Sequence, residues 1–167
     1  MRMLLGPQVS PQTIEQVARR KEEDYRQQVR AGGLELLRGV ADWLDRLRAG
    51  GWRQAIGSSA PPENLELVLE VTHTRPYFER VISGADVARG KPDPEVFLAA
   101  ATSLQVPPER CVVVEDAPDA VEGARSARFR TVGVRRASAS AEIGVDSLDE
   151  LSEDAFDRLV PGGPLRP

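Results

Sequence analysis

A chain of 167 residues, 41% hydrophobic and 29% charged, has room for one core domain plus an appendage. Its balance excludes a disordered chain, and a single cysteine excludes a disulfide-stapled one. The net charge of −4 argues against a general nucleic-acid binder, which needs a basic face. No apolar stretch approaches the ~18 residues of a membrane span, and no signal-peptide core opens the sequence, so a cytoplasmic location is expected.

Ser10 before Pro11 reads as a helix cap, and Ile14, Val17, Ala18, Tyr25 and Val29 recur at near-helical spacing. Ala31, Gly32 and Gly33 break this helix before a second amphipathic one carried by Leu36, Leu37, Val40, Trp43, Leu44 and Leu47. Gly50 and Gly51 stop it. A short strand from Arg53 to Gly57 follows, then a turn at Ser58 and Ser59, then a helix opened by Pro61 and Pro62. The alternation continues with a strand at 80–83, a loop through Lys91 and a helix at 94–104. A strand then ends at Glu115, a helix covers 118–127 and a strand passes through Val132 and Val134. Ile143 to Val145 form a last short strand, and a helix near 153–159 precedes a loose Pro/Gly tail. This repetition predicts an α/β fold, a Rossmann-like parallel sheet with helices on both faces. Cys111 enters a buried strand and reads as a small hydrophobe rather than a catalytic thiol.

Three polar sites fall at or beyond carboxyl ends of strands, where open α/β sheets bind ligands: Ser58 with Ser59, Lys91, and Glu115 with Asp116. The acidic pair reads either as a Mg²⁺ site or as acids that open the next helix. Ser58 and Ser59 read as phosphate contacts or as a capping turn, and Lys91 as a phosphate partner or a surface lysine. Of the 22 basic residues only Lys21 and Lys91 are lysines, which favours a compact ammonium being wanted at Lys91. Together a hydroxyl, an ammonium and two acids suit phosphoryl transfer. His73 follows no strand end, and no catalytic triad can be built around it. Arg125, Arg128, Arg130, Arg135 and Arg136 cluster among acids and read as a solvated face.

The runs Ala55-Ile56-Gly57-Ser58-Ser59-Ala60, Gly90-Lys91-Pro92-Asp93-Pro94-Glu95-Val96-Phe97 and Val112-Val113-Val114-Glu115-Asp116-Ala117-Pro118 resemble the second, third and fourth motifs of the haloacid dehalogenase superfamily. The resemblance is to its β-phosphoglucomutase-like and phosphoglycolate-phosphatase-like branch. It implies a Mg²⁺-dependent phosphatase or phosphomutase acting on a small phosphorylated metabolite. Ser58 would bind the transferring phosphate with Ser59 beside it, Lys91 would stabilise nucleophile and phosphate, and Glu115 and Asp116 would hold Mg²⁺ directly or through water. Asn64 would assist near the substrate.

That family's first motif, an Asp-x-Asp ending the first strand, supplies its nucleophile, and none precedes Ser58 here. Met1 to Gly6 and the following helix resemble part of the family's helical cap. The resemblance therefore implies a cap remnant over 1–32 and an α/β core over 33–160 lacking its central first strand, while the Pro/Gly composition predicts a disordered tail over 161–167. It also implies no turnover by this chain alone. The alternatives are a non-catalytic remnant that binds a phosphorylated ligand or partner protein, and a split enzyme completed by a strand from another chain.

Overall fold

The computed structural model describes residues 9–164. Helix α1, Pro11–Gly32, starts where the Ser10 hydroxyl accepts the Thr13 amide at 3.1 Å, and it ends at Gly33, whose φ of +71° suits glycine. Only Val29 of this helix is buried, because its remaining faces are charged. It is held to the body by Asn64, which lies in the first turn of α3 (Pro62–Val71). Arg26 donates to the Asn64 carbonyl at 2.8 Å, and the Asn64 amide donates to Glu22 at 2.6 Å.

Helix α2 spans Val40–Ala49 and buries Trp43 and Leu44. Leu36 and Leu37, expected on this helix, fall before it and are 39% and 48% exposed. Gly39 sets the start: its φ is +80°, and a Cβ there would lie 2.2 Å from the Asp149 backbone nitrogen. Only glycine lets the chain turn that close to the 148–150 segment.

Five strands follow among the described residues: β1 (Ala55–Gly57), β2 (Arg80–Ile82), β3 (Val112–Glu115), β4 (Arg130–Val134) and β5 (Ile143–Val145). All pairings are parallel, as the intervening helices α3, α4 (Glu95–Ser103) and α5 (Pro118–Ser126) require. They do not form one sheet. β1 pairs with β2 in one, β3–β4–β5 form another, and no ladder joins β1 to β3. Helices flank the strands on both sides. Val113 packs with Val96, Phe97, Ala101, Ala120, Ala124 and Phe129 from the α4 and α5 side. Val112 turns the other way, toward Trp43 of α2 and Phe156 of α6 (Ala155–Leu159). Val112 and Val113 thus pack on opposite faces of β3, which fits its apolar run rather than an alternating one, whereas Val114 is 42% exposed.

The tail expected to be loose is fastened as far as residue 164. Arg110 donates to the carbonyls of Pro161 and Gly163 at 2.9 and 2.5 Å, which fixes the backbone there. Residues 1–8 and 165–167, including the Met1–Gly6 stretch read as cap, lie outside the described residues. Among the described residues no helix is long and apolar enough to cross a membrane.

Candidate active site

Lys91 is the meeting point of the two sheets. Its backbone N–H donates to the Ser59 hydroxyl at 3.3 Å beyond β1, and its ammonium donates to Glu115 at the end of β3. It also lies 4.7 Å from the Phe97 ring centroid, over the ring. Its side chain is 21% exposed and that of Glu115 only 11%, so this ion pair is largely removed from water, where a charge needs its partner. Because one residue touches the carboxyl ends of both β1 and β3, those ends share one rim.

The loop that presents Lys91 is held by carboxylates at both ends. After β2, Asp86 accepts both the N–H and the hydroxyl of buried Ser83, at 2.7 and 2.6 Å, and those bonds hold its carboxyl below the usual range. At the start of α4, Glu95 accepts the amides of Ala88 and Arg89 and the Arg89 guanidinium, at 2.9, 3.1 and 3.0 Å. The Ala88 amide is the leading cause of its lowered pKa. The loop then rests on α5: a Cβ at Gly123 would lie 2.0 Å from the Pro92 carbonyl oxygen. None of Asp86, Glu95 or Gly123 was singled out by sequence reading, although an acid in the first turn of a helix and a glycine inside one are both signals.

The remaining expected residues divide. Ser58 lies at the rim, where its hydroxyl accepts the Ala60 amide at 3.2 Å in the turn anticipated as the alternative reading. Glu115 has both oxygens engaged: one faces Lys91, and the other accepts the amides of Asp116 and Ala117, each at 3.2 Å. Asp116 is exposed and faces Arg136, 3.7 Å away and just past β4. Arg136 thus belongs to the rim, and the clustered arginines do not form one face. Arg130 pairs with Glu142, Arg128 with Glu109, and Arg125 donates to the Ser140 carbonyl. Asn64 is not brought to the rim by any hydrogen bond, its amide being committed to Glu22 and Arg26. His73 is exposed.

Cys111 packs at the edge of the core and its thiol is pushed up to about 11, chiefly by burial and then by Glu109. It is a thiol rather than a thiolate at neutral pH, as a small core hydrophobe should be. For a divalent cation, Asp116 offers a hard oxygen donor of the right kind. Among the described residues no cluster of three or more His, Cys, Asp or Glu forms a metal cage. A Mg²⁺ here would draw its other ligands from water, backbone and phosphate.

A parallel α/β fold with serine, lysine and carboxylate gathered on the rim at its strand ends defines an α/β protein of Rossmann-like type. The model of the haloacid dehalogenase-like hydrolase family matches residues 5–128, and the chain belongs to that family. It is 34% identical over 131 residues to Protein CbbY of Rhodobacter capsulatus, covering 77% of this chain and 58% of that protein. To the chloroplastic 5-amino-6-(5-phospho-D-ribitylamino)uracil phosphatase of Arabidopsis thaliana it is 34% identical over 148 residues, or 85% of this chain and 39% of the relative. The chain thus spans about half the length of these curated relatives. A crystal structure of a CbbY mutant from Rhodobacter sphaeroides, in complex with xylulose-(1,5)bisphosphate, superposes with a TM-score of 0.81 at 27% identity, over 90% of this chain and 72% of that one.

Proposed function

We propose that this chain carries the phosphate-binding rim of a Mg²⁺-dependent phosphatase or phosphomutase for a small phosphorylated metabolite, a sugar phosphate in class. The observation that carries this reading is the convergence of Ser59, Lys91 and Glu115, with Ser58 in the same turn and Asp116 next in the chain. The names of the relatives agree with it, two of them referring to a phosphatase and to a bound sugar bisphosphate. In this reading the turn at Ser58 and Ser59 and the Lys91 ammonium hold phosphate oxygens. Glu115 keeps the ammonium aimed, and Asp116 is the carboxylate free to turn from Arg136 toward Mg²⁺. The cation would neutralise phosphate charge when bound.

The 167 residues contain no Asp-x-Asp, which favours a second reading: alone, this chain binds a phosphorylated ligand without turning it over. Calorimetric titration of the full chain with inorganic phosphate, with and without Mg²⁺, tests the site. Mg²⁺-dependent binding that is lost in Lys91→Met and weakened in Asp116→Asn supports it, and equal binding by all three proteins refutes it. Robust Mg²⁺-dependent hydrolysis of p-nitrophenyl phosphate by the purified chain would overturn the binding-only reading.

A further inference from the structure

Phe97 stands in the first turn of α4 and is buried with Val96, Ala101, Val113 and Phe129 in the core. Its ring lies edge-on to that of Phe129, with centroids 6.1 Å apart, and a Cβ at Gly57 would lie 3.4 Å from its Cδ1. The ring is thus fixed between the core and the carboxyl end of β1. One face of it carries the Lys91 ammonium, 4.7 Å from the centroid, inside the roughly 6 Å within which a cation is drawn to the negative face of an aromatic ring. An aliphatic residue at 97 would fill the core as well, but it would leave that cation against a wall offering it no attraction. The Lys91 side chain is largely removed from water, and among the described residues the hydrogen-bond acceptor its ammonium finds is the Glu115 carboxylate. An ammonium has three N–H groups. Glu115 takes one and the ring closes off a second direction, so one donor is left for the rim.

We infer that Phe97 is a positioning residue: its ring face seats the Lys91 ammonium between Glu115 and the rim, and so presents a fixed N–H to an anionic ligand. The inference rests on the phosphate reading only for the nature of that ligand. A seated side chain has already given up the rotamer freedom that a loose lysine loses on binding, so it holds an anion more tightly. Contacts between a cation and a ring are worth about 2- to 30-fold in an equilibrium constant. The same argument separates the two lysines of the chain. Lys21 pairs with Glu22 in an exposed position on α1, and it lies over no aromatic ring among the described residues.

The test replaces Phe97 in the full chain with a trifluorinated phenylalanine, which keeps the shape of the ring and removes most of its negative face. Lys91 is read by nuclear magnetic resonance in protein carrying isotope-labelled lysine, where Lys21 and Lys91 give the two ε-methylene signals. In the wild type the Lys91 signal should lie upfield of that of Lys21, displaced by the ring beneath it. In the Phe97 variant at least half of that displacement should vanish. Calorimetric titration with inorganic phosphate and Mg²⁺ should show at least threefold weaker binding by the same variant. The same replacement at Phe129, which underlies no cation among the described residues, should leave both readouts unchanged. Signals of Lys91 and Lys21 that coincide in the wild type overturn the inference, as does a displacement or a phosphate affinity that the Phe97 variant leaves intact. Equal weakening by the Phe129 variant also overturns it, since packing is then the cause. A wild type that shows the displaced signal, loses it in the Phe97 variant and binds no phosphate supports the seat and refutes the phosphate reading alone.

Discussion

Replacing Gly123 with alanine should destabilise the chain, against the usual preference of a helix interior. In α5 the exchange would by itself gain about 0.8–1 kcal/mol of helix propensity. The new Cβ, however, would lie 2.0 Å from the Pro92 carbonyl oxygen and 3.1 Å from its carbon. An ordinary carbon–oxygen contact is about 3.3 Å, so the backbone beside Lys91 must retreat by roughly 1.3 Å. Such overpacking costs about 1–3 kcal/mol, leaving a net loss of roughly 1 kcal/mol. With a urea dependence of about 2 kcal/mol per molar, the unfolding midpoint falls by roughly 0.5 M. Gly32→Ala, at the end of α1 with nothing within 4 Å of its Cβ position, is the control and should not lower the midpoint. Because the displaced segment carries Lys91, phosphate binding should weaken in Gly123→Ala and remain unchanged in Gly32→Ala. A Gly123→Ala protein as stable as the wild type would refute the argument that this glycine exists for the loop.

Lys91→Met should lower stability by about 1–3 kcal/mol, since it strands the largely buried Glu115 carboxylate. The double variant Lys91→Met, Glu115→Gln should recover most of this in urea unfolding, and a double variant no better than the single one would show that the pair is not the cause. Glu95 has a folded pKa below its ordinary 4.5, so the stability it contributes is complete above that value and lost as the pH falls through the folded one. Unfolding midpoints measured from pH 6 to pH 3 should therefore converge between wild type and Glu95→Gln as acid is added. A constant gap would show that Glu95 acts by packing alone.

The strands and helices of this α/β fold were legible because each leaves a local signature. Val112 to Val114 form an apolar run that ends in acids, Ser10-Pro11 starts a helix, and glycines close the first two. The candidate rim was legible for a similar reason: parallel strands oblige residues at their carboxyl ends to meet. That rule brought together Ser59, Lys91 and Glu115, which lie 32 and 24 positions apart. Arg136 and Gly123 escaped it. An arginine among arginines carries no local mark of facing Asp116, and a helical glycine does not announce which loop rests on it. Asn64 shows the converse, since its place near the serine turn in sequence said nothing of the helix that would claim its amide.

What the sequence alone determined is periodicity and the order of polar groups at strand ends, because backbone geometry translates both directly into local structure. Only the tertiary structure decided which charges pair across the rim and which faces close over which glycines, because those depend on distances between segments far apart in the chain. It likewise decided the gap between β1 and β3, which no ladder joins among the described residues.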